Sequence, residues 1–249
     1  MTAFAMTDQP YAIKEIEIGH HITRDIGGFA FNVDTLLSTA VAGLIVIGLG
    51  LLVRRRATAG VPSGPQLFFE TVTNAVERQV ETSMGLRTAP WVVPFAVALF
   101  TFILFANWLA VIPSGHEPEY LPPPAADVNL TYALALLVII SMHVTGIRRK
   151  GFKGYYGHLA KPYAFLLPIN IIEELAKPVT LALRLFGNIF SGVIMVSLIS
   201  LFPAYILWGP NVAWKLFDLF IGLIQAFIFA LLTVLYFGSV APAEEGGGH

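Results

Sequence analysis

From Pro178 to Trp214 the chain runs for 37 residues with a single charge, Arg184. At about 1.5 Å of rise per helical residue, such a run is long enough to cross a bilayer. An arginine keeps its proton at any ordinary pH, and holding it at mid-membrane costs about 3 kcal/mol or more. Arginines in that position face a partner or an aqueous cavity. The alternative is an arginine near a helix end that snorkels to the headgroups. Against it stand the 30 uncharged residues that follow Arg184.

The rest of the chain obeys the same constraint. Apolar residues make up 56% and charged residues 12%, where a soluble domain carries about 25% charged, and the mean hydropathy is +0.72. The 249 residues therefore read as a single all-α polytopic membrane domain rather than one or two soluble ones. With no cysteine, disulfides and thiolate metal sites are excluded. The histidines are too dispersed for a metal motif, apart from the adjacent His20 and His21. A net charge of −1 gives no nucleic-acid footprint, and no glycine-rich phosphate loop is present. No cofactor is expected, and nucleotide chemistry is not expected on this chain.

Charge clusters divide the chain into five expected spans. Residues 1–34 form a polar tail without the basic and apolar regions of a signal peptide, so direct insertion into a bacterial plasma membrane is expected. Span 1 covers 35–53 and is closed by Arg54-Arg55-Arg56, which marks its cytoplasmic end. In 66–85, Phe69, Val72, Val76, Val80 and Met84 recur every three or four positions against Glu70, Asn74, Glu77, Arg78 and Glu81. That pattern predicts an amphipathic helix lying on the cytoplasmic interface. A soluble connecting helix is the alternative, and Leu67-Phe68-Phe69 argues against it. Span 2 covers 90–112, an acidic proline-rich segment follows, and span 3 covers 128–147 before Arg148-Arg149-Lys150. Span 4 covers 168–201, with Pro203, Gly209 and Pro210 as an outer turn. Span 5 covers 212–240, followed by a tail at 241–249. Spans 4 and 5 make a long, tilted helical hairpin. The N-terminus is expected outside and the C-terminus in the cytoplasm, with 11 of the 15 lysines and arginines on the inner side.

Polar residues within these spans cluster by depth. Gln225 is near the centre of span 5 and level with Arg184, while Asn188 follows Arg184 by about one turn. Asp218 shares the Gln225 face roughly 10 Å outward. Asp127 and Asn129 stand at the outer end of span 3, and His143 lies in its inner half. Glu173 and Glu174 fall roughly 15 Å inward of Arg184. Polar groups on both sides of a fixed cation are what two offset half-channels for protons require. Simpler readings stay open: Asn188 and Gln225 as interhelical hydrogen-bond glue, Asp218 as an interfacial acid paired with Lys215, His143 as a satisfied buried histidine, and Glu173 and Glu174 as interface acids.

The run Lys177-Pro-Val-(x)3-Leu-Arg184-Leu-Phe-Gly-Asn188 closely resembles the signature of subunit a of the F-type rotary ATP synthase. Ile224-Gln225-Ala-Phe-Ile-Phe229 looks like that family's final helix. The likeness extends to His20-His21, Phe105-Ala-Asn107-Trp, Ala126-Asp127-Val-Asn129-Leu-Thr131 and the basic loop from Arg148 to Tyr156. It implies a non-catalytic stator beside a ring of c subunits, with subunit b as peripheral partner and proton flow coupled to ATP synthesis. It also implies that Arg184 faces the ring carboxylates, that Gln225 is tied to transport, and that Asn188 and Asp127 lie along the path. One position departs: many bacterial relatives carry an acid nine residues after the arginine, where this chain has Val193. The nearest acid is Asp218 on the facing helix, so the outer relay is expected to run through it. A proton-coupled secondary transporter is the rival class, and a non-transporting scaffold a weaker one. The transporter would show paired repeats and broken helices, which five unpaired spans lack.

Overall fold

The computed structural model of the chain describes residues 23–26, 29–58, 60–86, 89–109, 124, 127–157 and 167–240. His20, His21, most of the acidic proline-rich segment and the tail at 241–249 lie outside these residues.

The described chain opens with a hairpin, β1 (Thr23–Ile26) paired antiparallel to β2 (Phe29–Asn32). The sequence reading had only a polar tail here; four residues per strand leave too short an alternation to register. The other described elements are helices: α1 (Val33–Arg56), α2 (Gly64–Met84), α3 (Val92–Trp108), α4 (Val128–Gly157), α5 (Leu167–Ile199) and α6 (Ala204–Val240). Helices are required in a bilayer because each one satisfies its own backbone polar groups. Among the described residues, Val33–Arg56, Asn129–Phe152 and Tyr205–Val240 are long and apolar enough to cross a membrane. Val92–Trp108 and Phe190–Ile199 are shorter apolar segments.

Local chemistry sets the ends. α1 closes on three arginines that complement its negative C-terminal dipole. Pro65 starts α2, where its missing N–H costs nothing. Gly85, at φ 74°, ends it and donates its N–H to the carbonyls of Val80 and Glu81. The amphipathic reading of this helix is visible in its burial: Val76, Val80 and Met84 are buried, while Glu70, Asn74, Arg78 and Glu81 are exposed.

Two boundaries differ from the sequence reading. α4 continues ten residues past Ile147, through a kink at Gly151 (φ 67°, ψ 161°), a conformation in which a Cβ is strained. Beyond the kink Tyr155 folds back against Gly146, where a Cβ would collide with its ring. α6 begins at Ala204 rather than 212, and Pro210 lies inside it. The turn between α5 and α6 is therefore confined to residues 200–203, where Pro203 cannot extend the preceding helix. Gly209 and Pro210 read as turn residues from composition, but one lost backbone bond is tolerated within a long apolar helix.

The helices alternate in direction. Asn32 at the start of α1 reaches Asp127 at the start of α4, and Ala42 of α1 packs on Ala106 and Leu109 near the end of α3. At the opposite end, Val76, Val80 and Met84 of α2 form one cluster with Val92, Val93, Tyr155, Phe237 and Val240. That end also carries the basic groups Arg54–Arg56, Arg78, Arg148–Lys150 and Lys177. A central cluster joins α3 (Leu99, Ile103, Leu104), α4 (Ala135, Val138), α5 (Leu181, Ala182) and α6 (Ala226, Phe229, Ala230). Small residues recur at these contacts, as expected where apolar lipid removes the hydrophobic drive and close packing must hold helices together. The tightest is Gly222 of α6, where an added Cβ would stand 3.0 Å from the Asn107 Cβ of α3.

Candidate functional site

The site is built on α5 and α6, which run antiparallel. Two contacts fix their register. Gly192 lies against Asp218, whose Oδ1 would be 3.6 Å from a Cβ at that glycine. Lys177 Nζ stands 5.6 Å from the centroid of the Tyr236 ring, a cation–π contact at the other end. Carrying that register along both helices brings Arg184 level with the turn Ala226–Phe229, adjacent to Gln225.

The two residues occupy opposite environments at that level. Leu181 and Ala182 bury the inner face of α5 in the central cluster, and Leu183 and Arg184 are exposed. Among the described residues Arg184 has no hydrogen bond or ion pair. Gln225 is only 6% exposed, and among the described residues its Nε2 has no hydrogen-bond partner. The structure therefore brings Arg184 and Gln225 to one depth without joining them by a hydrogen bond.

Asn107 of α3 lies close to the same turn. Its Nδ2 donates to the Gly222 carbonyl at 3.2 Å, and its buried Oδ1 has no partner among the described residues. Trp108 Nε1 donates to the Leu219 carbonyl, also at 3.2 Å. These two bonds clamp α6 between Asp218 and Gln225. Asp218 itself is half-buried, with the opposite charge of Lys215 one turn earlier on α6.

A second polar group lies at the β-hairpin end. Asp127, 6% exposed, accepts from Asn32 Nδ2 at 2.7 Å and from the Asn129 backbone N–H at 2.8 Å. It thus starts α4 as a capping carboxylate, while the Asn129 side chain is exposed. Beside Asn32, α1 buries Asp34, Thr35 and Ser38. Among the described residues the hydroxyls of Thr35 and Ser38 have no partner. Sequence reasoning missed this row; its signal was polar residues at 34, 35 and 38 on one face of an otherwise apolar helix. His143, in the other half of α4, bonds the Ile139 carbonyl through Nδ1 at 2.8 Å and stacks edge-on against Tyr155 at 5.6 Å. The α5 backbone carries Glu173, Glu174 and Asn188, but their side chains lie outside the described residues.

Taken together, α5 and α6 present one exposed arginine at the depth of a buried amide. Polar groups lie toward the hairpin end of the bundle (Asp218, Asp127, Asn32), and His143 toward the basic end.

Comparison with known proteins is consistent along the whole chain. The family described as ATP synthase A chain matches residues 36–238. A protein named ATP synthase subunit a from Acidothermus cellulolyticus is 56% identical over 97% of this chain and 88% of the relative. Proteins of the same name from Mycobacterium bovis (53% identical, over 93% of this chain and 96% of the relative) and Mycobacterium leprae (48%, over 96% and 99%) match as extensively. From the signature around Arg184 to the α3 contact with α6, the features described above lie within the matched region, and the chain belongs to the family of ATP synthase subunit a.

Proposed function

We propose that this chain is the stator subunit of the proton channel in an F-type ATP synthase of a bacterial plasma membrane, with ATP chemistry carried out on other subunits. Its partners are then the c-ring, the peripheral-stalk subunit b and the bilayer, and its transported species is the proton. The observation that carries the reading is the outward-facing Arg184 at the level of buried Gln225. A guanidinium turned away from its own bundle at mid-membrane needs a counter-charge on another chain, and a ring carboxylate supplies one.

In this mechanism α1, α3, α4, α5 and α6 span the membrane, with the N-terminus outside and the C-terminus in the cytoplasm. α5 and α6 extend for roughly 50 and 55 Å at 1.5 Å per residue; they exceed the hydrocarbon core and so tilt along the ring. Protons enter from outside by way of Asp127, Asn129 and Asp218, and Gln225 and Asn188 guide them to the ring. They leave toward the cytoplasm past His143 and Glu173 or Glu174. Arg184 repels a hydrated proton between the two half-channels and favours release from each carboxylate that approaches it. Each charge moved through 100 mV supplies about 2.3 kcal/mol, and rotation accumulates these increments.

The test is ATP-driven proton pumping together with passive proton permeability in vesicles bearing the complex. Arg184→Ala abolishes pumping and makes the membrane leak, because the barrier between half-channels is gone. Arg184→Lys retains a charge without the planar fork, so it keeps little coupling and leaks less than alanine. Near wild-type pumping in Arg184→Ala would overturn the mechanism.

A further inference from the structure

At the basic end of α1 the helix stands apart from α2, and two cavities lie between them. The first, of about 340 Å³, is lined by Arg56, Thr58 and Ser63 together with Leu52, Val53 and Pro65. The second, of about 620 Å³, is lined by Val46 and Gly50 of α1, Phe69, Thr73 and Glu77 of α2, and Val97 of α3, among others. Their linings follow the same face of each helix, and the crevice is the space between those faces. Val46, Gly50, Val53 and Arg56 recur at three or four residues on one face of α1, and Pro65, Phe69, Thr73 and Glu77 do so on α2. The crevice thus has a basic, hydroxyl-bearing mouth and an apolar interior, with one acid, Glu77, at its far end.

The mouth is held open by the chain itself. Gln66, buried beside it, binds the backbone of Thr58 from both sides, accepting from its N–H at 3.2 Å and donating to its carbonyl at 2.9 Å. Gln66 also donates to Glu70 at 2.7 Å. Arg54, Arg55 and Arg56 are exposed, and among the described residues none makes an ion pair. The Ser63 hydroxyl does not cap α2. From the mouth, an exposed apolar row on α1 (Leu44, Ile47 and Leu51) continues into the membrane.

We propose that this crevice binds one anionic glycerophospholipid. Its phosphodiester lies against Arg56, Thr58 and Ser63, and one acyl chain is laid between α1 and α2 along Val46, Gly50, Phe69 and Thr73. The occupant follows from the lining: Arg56, with the exposed Arg54 and Arg55 beside it at the end of an apolar helix, stands at headgroup depth and selects negative charge. The adjoining groove is apolar and open to the membrane, which fits a hydrocarbon chain and leaves nothing for a free anion to bind there. The lipid fills space between α1 and the α2–α3 pair and so fixes the position of the helix that carries Asn32, Thr35 and Ser38 at its other end.

The test uses the full chain, which has no native cysteine, with a fluorophore on Val61→Cys at the mouth, where Val61 is 94% exposed. The labelled chain is reconstituted in phosphatidylcholine vesicles with either phosphatidylglycerol or phosphatidylcholine brominated near the ester end of its chains. Quenching by the brominated phosphatidylglycerol should exceed that by the brominated phosphatidylcholine several-fold in relative association constant. Arg56→Gln should lower that preference about fivefold. Gly50→Leu should lower it as well with every arginine in place, since a Cβ there meets nothing within 4 Å and the longer side chain fills the groove. Thr73→Leu on the facing wall should do the same. Equal quenching by the two lipids, or a preference unaffected by Gly50→Leu and Thr73→Leu, would overturn the proposal in favour of diffuse surface attraction. Relief of quenching by excess inorganic phosphate would overturn it in favour of a free-anion site. Capture of a polypeptide instead of lipid by a photo-crosslinker at position 61, in membranes holding the assembled complex, would overturn it in favour of a protein partner.

Discussion

Gly222→Ala tests whether the α3–α6 clamp positions the transport face. The added Cβ would be 3.0 Å from the Asn107 Cβ, whereas carbon pairs are most favourable at about 3.5–4.0 Å. The helices must therefore part locally by roughly 0.5–1 Å, a gap that forfeits a quarter to a half of each neighbouring dispersion contact. Overpacking of this kind costs about 1–3 kcal/mol. Stretching the Asn107 bond to the Gly222 carbonyl, already 3.2 Å, adds about 0.6 kcal/mol. Replacing glycine within a helix returns up to about 1 kcal/mol. The net expectation is a loss of about 1–2 kcal/mol. A shift of this size within one turn of both Asp218 and Gln225 should reduce proton-driven turnover by an order of magnitude or more, since about 1 Å of misplacement can cost roughly 100-fold. The assay is denaturant unfolding in detergent alongside ATP-driven pumping in vesicles. Asn107→Gly removes the opposing Cβ but also the clamping bond, so the double variant should relieve the crowding without restoring pumping. Wild-type stability and pumping in Gly222→Ala, or wild-type pumping in the double variant, would refute the clamp.

Other expectations follow from the same contacts. Asp218→Asn should slow proton entry from outside while leaving assembly intact; unchanged proton-driven turnover would mark the residue as merely interfacial. Gly192→Ala should be tolerated, because its Cβ would meet Asp218 Oδ1 at an ordinary 3.6 Å, whereas Gly192→Leu should crowd the carboxylate and reproduce the Asp218→Asn defect in the same assay. Single cysteines at positions 119 and 152 should label from opposite faces of the membrane with an impermeant reagent. Labelling of both from one side would refute the proposed spans.

Charge was the most legible property of the sequence. Runs without charge located the apolar helices because no desolvated side chain interrupts them, and the three-to-four-residue spacing in 66–85 identified the buried face of α2. Turn residues misled in one place: Gly209 and Pro210 resemble a loop, yet α6 runs through them, since propensity is a weak prior within a long apolar helix. The reading of depth also followed from sequence alone, because helical rise fixes how far Asp218 lies from Gln225. What no spacing could reveal was direction around the helix axis. Arg184 and Gln225 share a level, but whether each faces inward depends on which side α5 and α6 bury against α3 and α4. The partners of Asn107 and Asn32 depend on contacts across 115 and 95 residues, for which a single sequence offers no signal.

The exposure of Arg184 bears on the stability of its variants. Leu181 and Ala182 supply the packing of this turn, and Arg184 adds no ion pair or hydrogen bond among the described residues. Its removal therefore deletes no contact of the central cluster. Arg184→Ala should fold and insert as well as the wild-type chain, whereas Ala182→Leu, which forces bulk into the α5 interface, should destabilise by about 1–3 kcal/mol. A proton leak appearing in the alanine variant at unchanged stability is then a property of the missing charge. The same leak accompanied by a fall in stability as large as that of Ala182→Leu would mean that the arginine holds the bundle together, and the separation of fold from function argued for this turn would be wrong.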